Sequence, residues 1–176
     1  MNKLLIGLGN PGKKYQNTRH NLGQILVSRY AQKLAVDLIP NHKFKALVGE
    51  TRVGESKIIL ATPTTYMNLS GQSVTKIANF YKIIPSAIYI AHDDLDLRVG
   101  ESKIQFDRGP AGHNGIISII ENLGTQAFWR IRIGISHPID NLPVEDYVLL
   151  PPKPEEKTKI DQEIDKIIEN CQLFNN

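Results

Sequence analysis

Apolar residues along the chain fall alternately into strand-like runs and segments with helical spacing. Leu4–Leu8 is a short apolar run of the kind that forms a buried strand, and Trp129–Ile135 alternates apolar and basic residues. Helical spacing predicts four helices, one beginning near residue 21 and the others covering about 70–81, 116–123 and 155–172. Further strands are predicted at about 46–52, 57–61, 87–91 and 103–107.

This alternation predicts a single α/β domain over residues 1–176. Its sheet should be twisted and mixed, mostly parallel, with helices on both faces, and the adjacent strands over 46–61 should pair antiparallel. The C-terminal helix, about 155–172, should be amphipathic because Ile160, Ile164 and Ile168 share one face. Prolines between residues 143 and 154 predict a loop before it.

Composition is that of an ordinary globular protein, with 41% hydrophobic and 22% charged residues in 176. No apolar stretch approaches the roughly 18–20 residues of a membrane span, and the apolar run after the first residues is too short for a secretion signal. The one cysteine, Cys171, rules out an internal disulfide and fits a reducing compartment. We therefore expect a cytoplasmic protein that does not contact membranes.

Charge is distributed unevenly along the chain. Residues 1–90 carry 12 Lys and Arg against 3 Asp and Glu, whereas residues 91–176 carry 9 against 15, which together give a net charge of +3. A basic half suggests a polyanionic partner such as nucleic acid. A solvated surface with uneven charge explains the same numbers, and the asymmetry alone favours that simpler explanation.

The N-terminal segment contains a G-x-G-x-x-G pattern at Gly7, Gly9 and Gly12, directly after the first predicted strand. A dinucleotide-binding fingerprint needs a helix that begins at these glycines with free backbone N–H groups. Here Pro11 removes one donor, and the helical pattern resumes only after His20. The glycines therefore do not indicate a dinucleotide site.

Amide and acidic side chains instead follow several predicted strands. Asn10 and His20 lie in the first loop, and Asn68 lies between a strand and a helix. Asp93 ends another strand, and the pair His113–Asn114 directly precedes a helix. One edge of an α/β sheet can bring all of these together, although each asparagine alone is more often a helix N-cap.

The set supports hydrolysis by an activated water molecule. A histidine paired with a carboxylate is a general base with a fixed tautomer, and asparagines can bind amides or an oxyanion without charge. No serine or cysteine lies in the setting of a nucleophile elbow. Two alternatives stay open: a metal-dependent hydrolase, since His92, Asp94 and Asp96 are also typical ligands, and a catalytically silent RNA-binding module.

Five stretches resemble the bacterial peptidyl-tRNA hydrolases. They are "GLGNPGKKYQNTRHNLG", "PTTYMNLSG", "AHDDLDLRVG", "GPAGHNG" and "WRIRIGISHP", in the order and spacing of that family. The resemblance implies a monomer that hydrolyses the ester between a peptide and the 3′ ribose of tRNA. It implies no metal and no organic cofactor, and tRNA as the partner.

The resemblance also implies roles for individual residues. His20 matches the general base, Asp93 its orienting carboxylate, and Asn10 the residue that holds substrate and water beside the histidine. Further substrate-binding residues are implied at Tyr15, Tyr66, Met67, Asn68, His113 and Asn114.

One departure from the family concerns its clamp for a tRNA phosphate, which uses a lysine and an arginine. Arg132 matches the arginine, but Gln105 stands in the lysine position, and Lys103 is the nearest substitute. Alternation along the two strands predicts that Ile104, Phe106, Ile131 and Ile133 face the core. Lys103 and Arg132 should then point outward together.

Overall fold

The protein was analysed as a computed structural model that describes residues 2–139 and 141–170. It has seven strands in one sheet, ordered β2-β3-β4-β1-β5-β7-β6. The strands are β1 (Asn2–Gly7), β2 (Ile39–Asn41), β3 (Ala46–Val53), β4 (Ser56–Pro63), β5 (Ile88–Asp94), β6 (Ser102–Phe106) and β7 (Trp129–Gly134). The helices are α1 (Leu22–Lys33), α2 (Ser70–Tyr81), α3 (Asn114–Leu123), α4 (Val144–Val148) and α5 (Pro154–Glu169).

The sheet is mixed, as predicted. The central pairings β4–β1, β1–β5 and β5–β7 are parallel, and the outer pairings are antiparallel, including β3–β4 over the segment where this was expected. Because the four central strands run in one direction, their carboxyl ends meet at a single edge. That edge carries the loops after β1, β4 and β5.

Helices cover both faces of the sheet. Side chains of β1 alternate between two cores, with Leu5 packed among residues of α1 and α5, and Leu4 and Ile6 among residues of α2 and α3. The predicted helix 70–81 matches α2. The predicted C-terminal helix is observed through Glu169, and its residues 171 and 172 lie outside the described part of the chain.

Two expectations about local structure are wrong. The short edge strand β2 was not predicted, since it contains Pro40. Within the proline-punctuated segment, Val144–Val148 forms the helical turn α4 rather than a loop, and Tyr147 and Val148 are buried in the core.

Two glycines at the end of β1 and in the loop after it have different roles. A Cβ at Gly7 would lie 2.2 Å from the carbonyl oxygen of Gly23, so the end of β1 can touch the start of α1 only without side chains. Gly12 has φ +100, a conformation that side chains disfavour. Helix α1 begins at Leu22, beyond His20, as the sequence predicted. No helix among residues 2–139 and 141–170 is both long and apolar enough to span a membrane.

Candidate active site

Three loops at the carboxyl edge of the sheet bring the predicted residues together. His20 lies in a 3-10 turn, Arg19–Asn21, that leads into α1, while Asp93 belongs to β5 and His113 directly precedes α3. The imidazole of His20 and the carboxylate of Asp93 are within hydrogen-bond distance, although the residues are 73 positions apart. The expectation that one sheet edge assembles these groups is confirmed for this pair.

The contact between His20 and Asp93 fixes the chemistry of the imidazole. Nδ1 of His20 lies 2.9 Å from Oδ1 and 3.0 Å from Oδ2 of Asp93, whose side chain is 2% exposed. With Asp93 ionised, Nδ1–H is the donor, and the lone pair of the neutral ring then lies on Nε2. This is the tautomer that a general base needs.

A second histidine contacts the same carboxylate. Nδ1 of His113 accepts from the N–H groups of Gly115 and Ile116, so this side chain caps α3. Its proton must therefore be on Nε2, which donates to Oδ1 of Asp93 at 3.0 Å. The sequence predicted His113 only as a substrate-binding residue; its position directly before a helix was the signal for the cap.

The electrostatics of the cluster keep Asp93 ionised. Burial alone raises the pKa of Asp93, but the charges and hydrogen bonds of His20 and His113 outweigh it and hold that pKa far below its usual range. For His20, burial lowers the pKa, whereas the charge of Asp93 and its hydrogen bond raise it, and the net effect is a raised pKa.

Asn10 is held from two sides. Its backbone N–H donates to Oδ1 of Asn21 at 2.8 Å, and Nδ2 of Asn21 donates back to the carbonyl of Asn10 at 3.0 Å. Its own Oδ1 accepts from the backbone N–H of Met67 at 2.8 Å, which joins the loop after β1 to the loop after β4. Sequence reasoning passed over Asn21, for which the pattern gave no signal.

None of the three predicted asparagines is a helix N-cap. Asn10 bonds another loop, Asn68 lies within the 3-10 turn Met67–Leu69, and Asn114 is the first residue of α3, behind the cap His113. Asn68 and Asn114 are exposed. Among the other predicted binding residues, Met67 is buried, Tyr66 is 56% exposed, and Tyr15 is half-buried, with Nζ of Lys14 4.6 Å from its ring centroid.

A cleft of about 460 Å³ opens beside the two histidines. Helix α4 forms its far wall through Val144, Glu145 and Val148, so the segment expected to be a loop shapes the site. Asn114 lines the same cleft, whereas Asn10 lines a neighbouring groove.

Arg19 ties the turn that carries His20 to this far wall, and sequence reasoning missed it. Its Nη1 donates to the carbonyls of Leu150 and Pro151 at 3.1 and 3.0 Å, and its Nη2 donates to Glu156 at 2.6 Å. The guanidinium also lies 4.0 Å from the ring centroid of Tyr147. The general-base candidate is therefore anchored to both α4 and the start of α5.

His92, a buried residue of β5, packs against His113. It is 4% exposed, its ring centroid lies 4.8 Å from that of His113, and Nδ1 donates to the carbonyl of Asp93 at 2.6 Å. Burial and the neighbouring His113 hold the pKa of His92 well below its usual range, so the ring stays neutral.

The metal alternative can be compared with this geometry. Ligand atoms of His20, Asp93 and His113 lie within 4.8 Å of one another, as around a bound ion. However, Nδ1 of His20 and Nε2 of His113 are both hydrogen-bonded to Asp93 itself. An ion here would replace both hydrogen bonds, whereas a proton-transfer site uses them as they stand.

The prediction that Lys103 and Arg132 both point outward is wrong for Arg132. Lys103 and Arg132 are opposite each other in the β6–β7 register and share a face, but Arg132 is only 3% exposed. Its Nε donates to Asp94 at 2.7 Å and its Nη1 to Gln105 at 3.0 Å, so it points inward into an ion pair. Ile104 and Phe106 are 40% and 38% exposed, not in the core, because β6 is an edge strand.

Comparison with known proteins agrees with the resemblance in the sequence. The family model described as peptidyl-tRNA hydrolase matches residues 4–176. Peptidyl-tRNA hydrolases of Nitrosospira multiformis and Brevibacillus brevis are 46% and 44% identical over 172 residues, each match covering 98% of this chain and 90% of the relative. A crystal structure of peptidyl-tRNA hydrolase from Acinetobacter baumannii superimposes with a TM-score of 0.94 at 38% identity, over 98% of this chain and 88% of that one.

Proposed function

The chain belongs to the peptidyl-tRNA hydrolase family, and on that premise we propose that His20 is the base that activates water in its reaction. The enzyme is a carboxylic ester hydrolase that cleaves the bond between the peptide and the tRNA of peptidyl-tRNA. The observation that carries the proposed mechanism is the buried contact of 2.9 Å between Nδ1 of His20 and Asp93, which leaves Nε2 to face the reaction.

In the first step, Nε2 of His20 takes a proton from water while the water oxygen attacks the carbonyl carbon of the ester. Asp93 stays ionised and stabilises the imidazolium that forms. His113, through its own bond to Asp93, keeps that carboxylate in place. Because the attacking oxygen comes from water, the step forms no covalent enzyme intermediate.

In the second step, the tetrahedral intermediate collapses. The bond between the carbonyl carbon and the ribose oxygen breaks, and Nε2 of His20 returns its proton to that oxygen. The products are a peptide with a free carboxylate and a tRNA with a free ribose hydroxyl. The new carboxylic acid of the peptide ionises and releases one proton to the solution.

Binding of the substrate is assigned to the loops around this pair. Since Oδ1 of Asn10 is taken by Met67, we propose that its Nδ2 donates to the acyl group or to the attacked carbonyl oxygen. Asn68 and Asn114 are exposed amides that can bind the peptide and the 3′-terminal nucleotide, with Tyr15 and Tyr66 beside them. Lys103 is assigned to a tRNA phosphate, and Arg132 to holding this strand pair rather than to direct contact.

We also propose that the enzyme acts as a monomer in the cytoplasm. The single Cys171 fits a reducing compartment.

Replacing His20 by alanine tests the mechanism. A positioned base contributes on the order of 10²–10⁴-fold, so His20→Ala should lower the kcat on N-acetyl-aminoacyl-tRNA by that factor while tRNA affinity is nearly retained. The matched control is His137→Ala, since His137 lines the same cleft but is exposed and bonded to Asp96. A loss below about tenfold in His20→Ala would reject the role of this histidine.

The same assay separates the alternatives. A metal-dependent hydrolase would lose turnover after chelation and recover it when the ion is returned, whereas the proposed mechanism is insensitive to chelators. A silent RNA-binding module would bind tRNA without releasing the peptide.

A further inference from the structure

The solvent side of α2 carries a row of side chains four residues apart. We call Gln72, Lys76 and Phe80, together with Lys43 and Lys45 of the loop between β2 and β3, the α2 row. Residues at i, i+4 and i+8 lie on one side of a helix, and Gln72 to Phe80 spans about 12 Å. The row thus forms a strip along the helix rather than a scatter of surface residues.

The two loop lysines are held on this helix. Nζ of Lys45 donates to Oε1 of Gln72 at 3.0 Å, and its backbone carbonyl accepts from Oγ of Ser73 at 2.9 Å. Nζ of Lys43 lies 4.9 Å from the ring centroid of Phe80, which is 56% exposed. An exposed phenylalanine ring below an ammonium group can hold that charge in place while the ammonium group stays solvated.

The row begins next to the catalytic loops. The backbone N–H of Thr64 donates to the carbonyl of Lys45 at 2.8 Å, and two residues later the chain reaches Tyr66 and then Met67, which is bonded to Asn10. A ligand that leaves the site past Tyr66 would therefore meet Lys45 first and Lys76 next.

The row is also basic without local compensation. Within residues 2–139 and 141–170, the ion pairs observed include none to Lys43, Lys45 or Lys76. A polyanion bound at the site would be attracted to these lysines.

We propose that the tRNA part of the substrate leaves the active site across the α2 row, with phosphates of the acceptor stem on Lys43, Lys45 and Lys76 and the single-stranded 3′ end beside Tyr66. This rests on the proposed function. A row of about 12 Å is long enough for its lysines to reach more than one phosphate of the same strand. The exposed aromatic of Tyr66 offers a face for an unpaired base.

The experiment compares the triple variant Lys43→Gln, Lys45→Gln and Lys76→Gln with wild type on N-acetyl-aminoacyl-tRNA. KM should rise about tenfold or more near physiological salt with kcat retained, and the log–log salt slope should fall by about two to three units, at roughly 0.9 for each lost phosphate contact. All three side chains are exposed, so the variant should fold, which its thermal unfolding checks. The matched control removes the same charge from α5 and its cap, with Lys153→Gln, Lys157→Gln and Lys159→Gln.

Two further measurements sharpen the result. An N-acyl-aminoacyl ester of adenosine lacks the acceptor stem, so wild type and the triple variant should cleave it equally. An unchanged KM and salt slope of the triple variant on the tRNA substrate would overturn the proposal. A larger rise in KM for the α5 control than for the triple variant would also overturn it. If wild type itself failed to cleave N-acetyl-aminoacyl-tRNA, the proposed function would fail, and binding of deacylated tRNA would still test the row.

Discussion

Asp93 and Asn68 both serve the carboxyl edge of the sheet, but their surroundings are opposite. Asp93 is 2% exposed and accepts from two imidazoles, of which that of His113 is also held by the N–H groups at the start of α3. Asn68 is exposed on a 3-10 turn, as Asn114 is at the start of α3. The acid–base part of the site is thus complete before substrate binds, whereas the part that would contact substrate is open.

Physical chemistry explains the difference. A buried carboxylate without hydrogen-bond partners is costly, so the two imidazole donors stabilise ionised Asp93 in its buried position. An exposed amide is solvated by water and can exchange that water for a substrate group. Preorganised charge lowers a barrier because no reorganisation is needed during the reaction, and recognition does not need the same rigidity.

After His20→Ala, the largest effect should come from breaking the buried side of the site with Asp93→Asn. The amide cannot accept both imidazole protons with a full negative charge, so the tautomer of His20 is no longer fixed. We expect kcat to fall by at least about tenfold, though less than in His20→Ala, because the base itself remains.

The pH profile of the same variant gives a second measure. Asp93 raises the pKa of His20 against the opposing effect of burial, so without that charge the pKa falls. The acidic limb of the profile of kcat/KM should therefore move to lower pH. Asp96→Asn, on the rim of the same cleft, is the control and should leave the limb in place. An unmoved limb in Asp93→Asn would mean that the two residues do not act as a pair.

How much of this could be predicted from the sequence depends on the range of the interaction. Helix α2 was predicted with its observed bounds because Val74, Ile77 and Ala78 recur on one face and are indeed buried. Strand β2 and turn α4 were not predicted. Strand β2 has three residues and contains a proline, and α4 has five residues and follows a proline. Such short elements form because tertiary contacts hold them, and the local pattern does not contain those contacts.

The same limit applies to the site. Strand ends predicted that Asn10, His20 and Asp93 share an edge, since parallel strands place their carboxyl ends together. The bond between His113 and Asp93 depends on how α3 is capped, which no spacing specifies. The burial of Arg132 was predicted wrongly because alternation assigns a side chain to a face of the sheet but does not tell whether that face is covered.

A smaller effect should come from changing the open side with Asn68→Asp. A neutral amide can bond a peptide N–H, whereas a free ammonium group would lose solvation there without a carboxylate partner. The variant supplies that carboxylate, so the preference for N-acylated over free aminoacyl-tRNA should narrow, measured as the ratio of the two kcat/KM values. Asn68→Ala is the control that removes the amide without adding charge. An unchanged ratio in Asn68→Asp would place selectivity in another part of the pocket.

The smallest effect should come from Lys103, which tests whether β6 and β7 contact RNA at all. Arg132, opposite it, is occupied by Asp94 and Gln105, so of the predicted pair only Lys103 has an exposed charge to offer. One phosphate contact distant from the ester contributes to binding rather than chemistry, so Lys103→Ala should raise KM a few-fold with kcat retained. The salt slope should fall by roughly one unit or somewhat less, which is smaller than the change expected for the α2 row. If neither KM nor the salt slope changes, Lys103 is an ordinary solvated surface residue, and β6 and β7 do not contact the RNA.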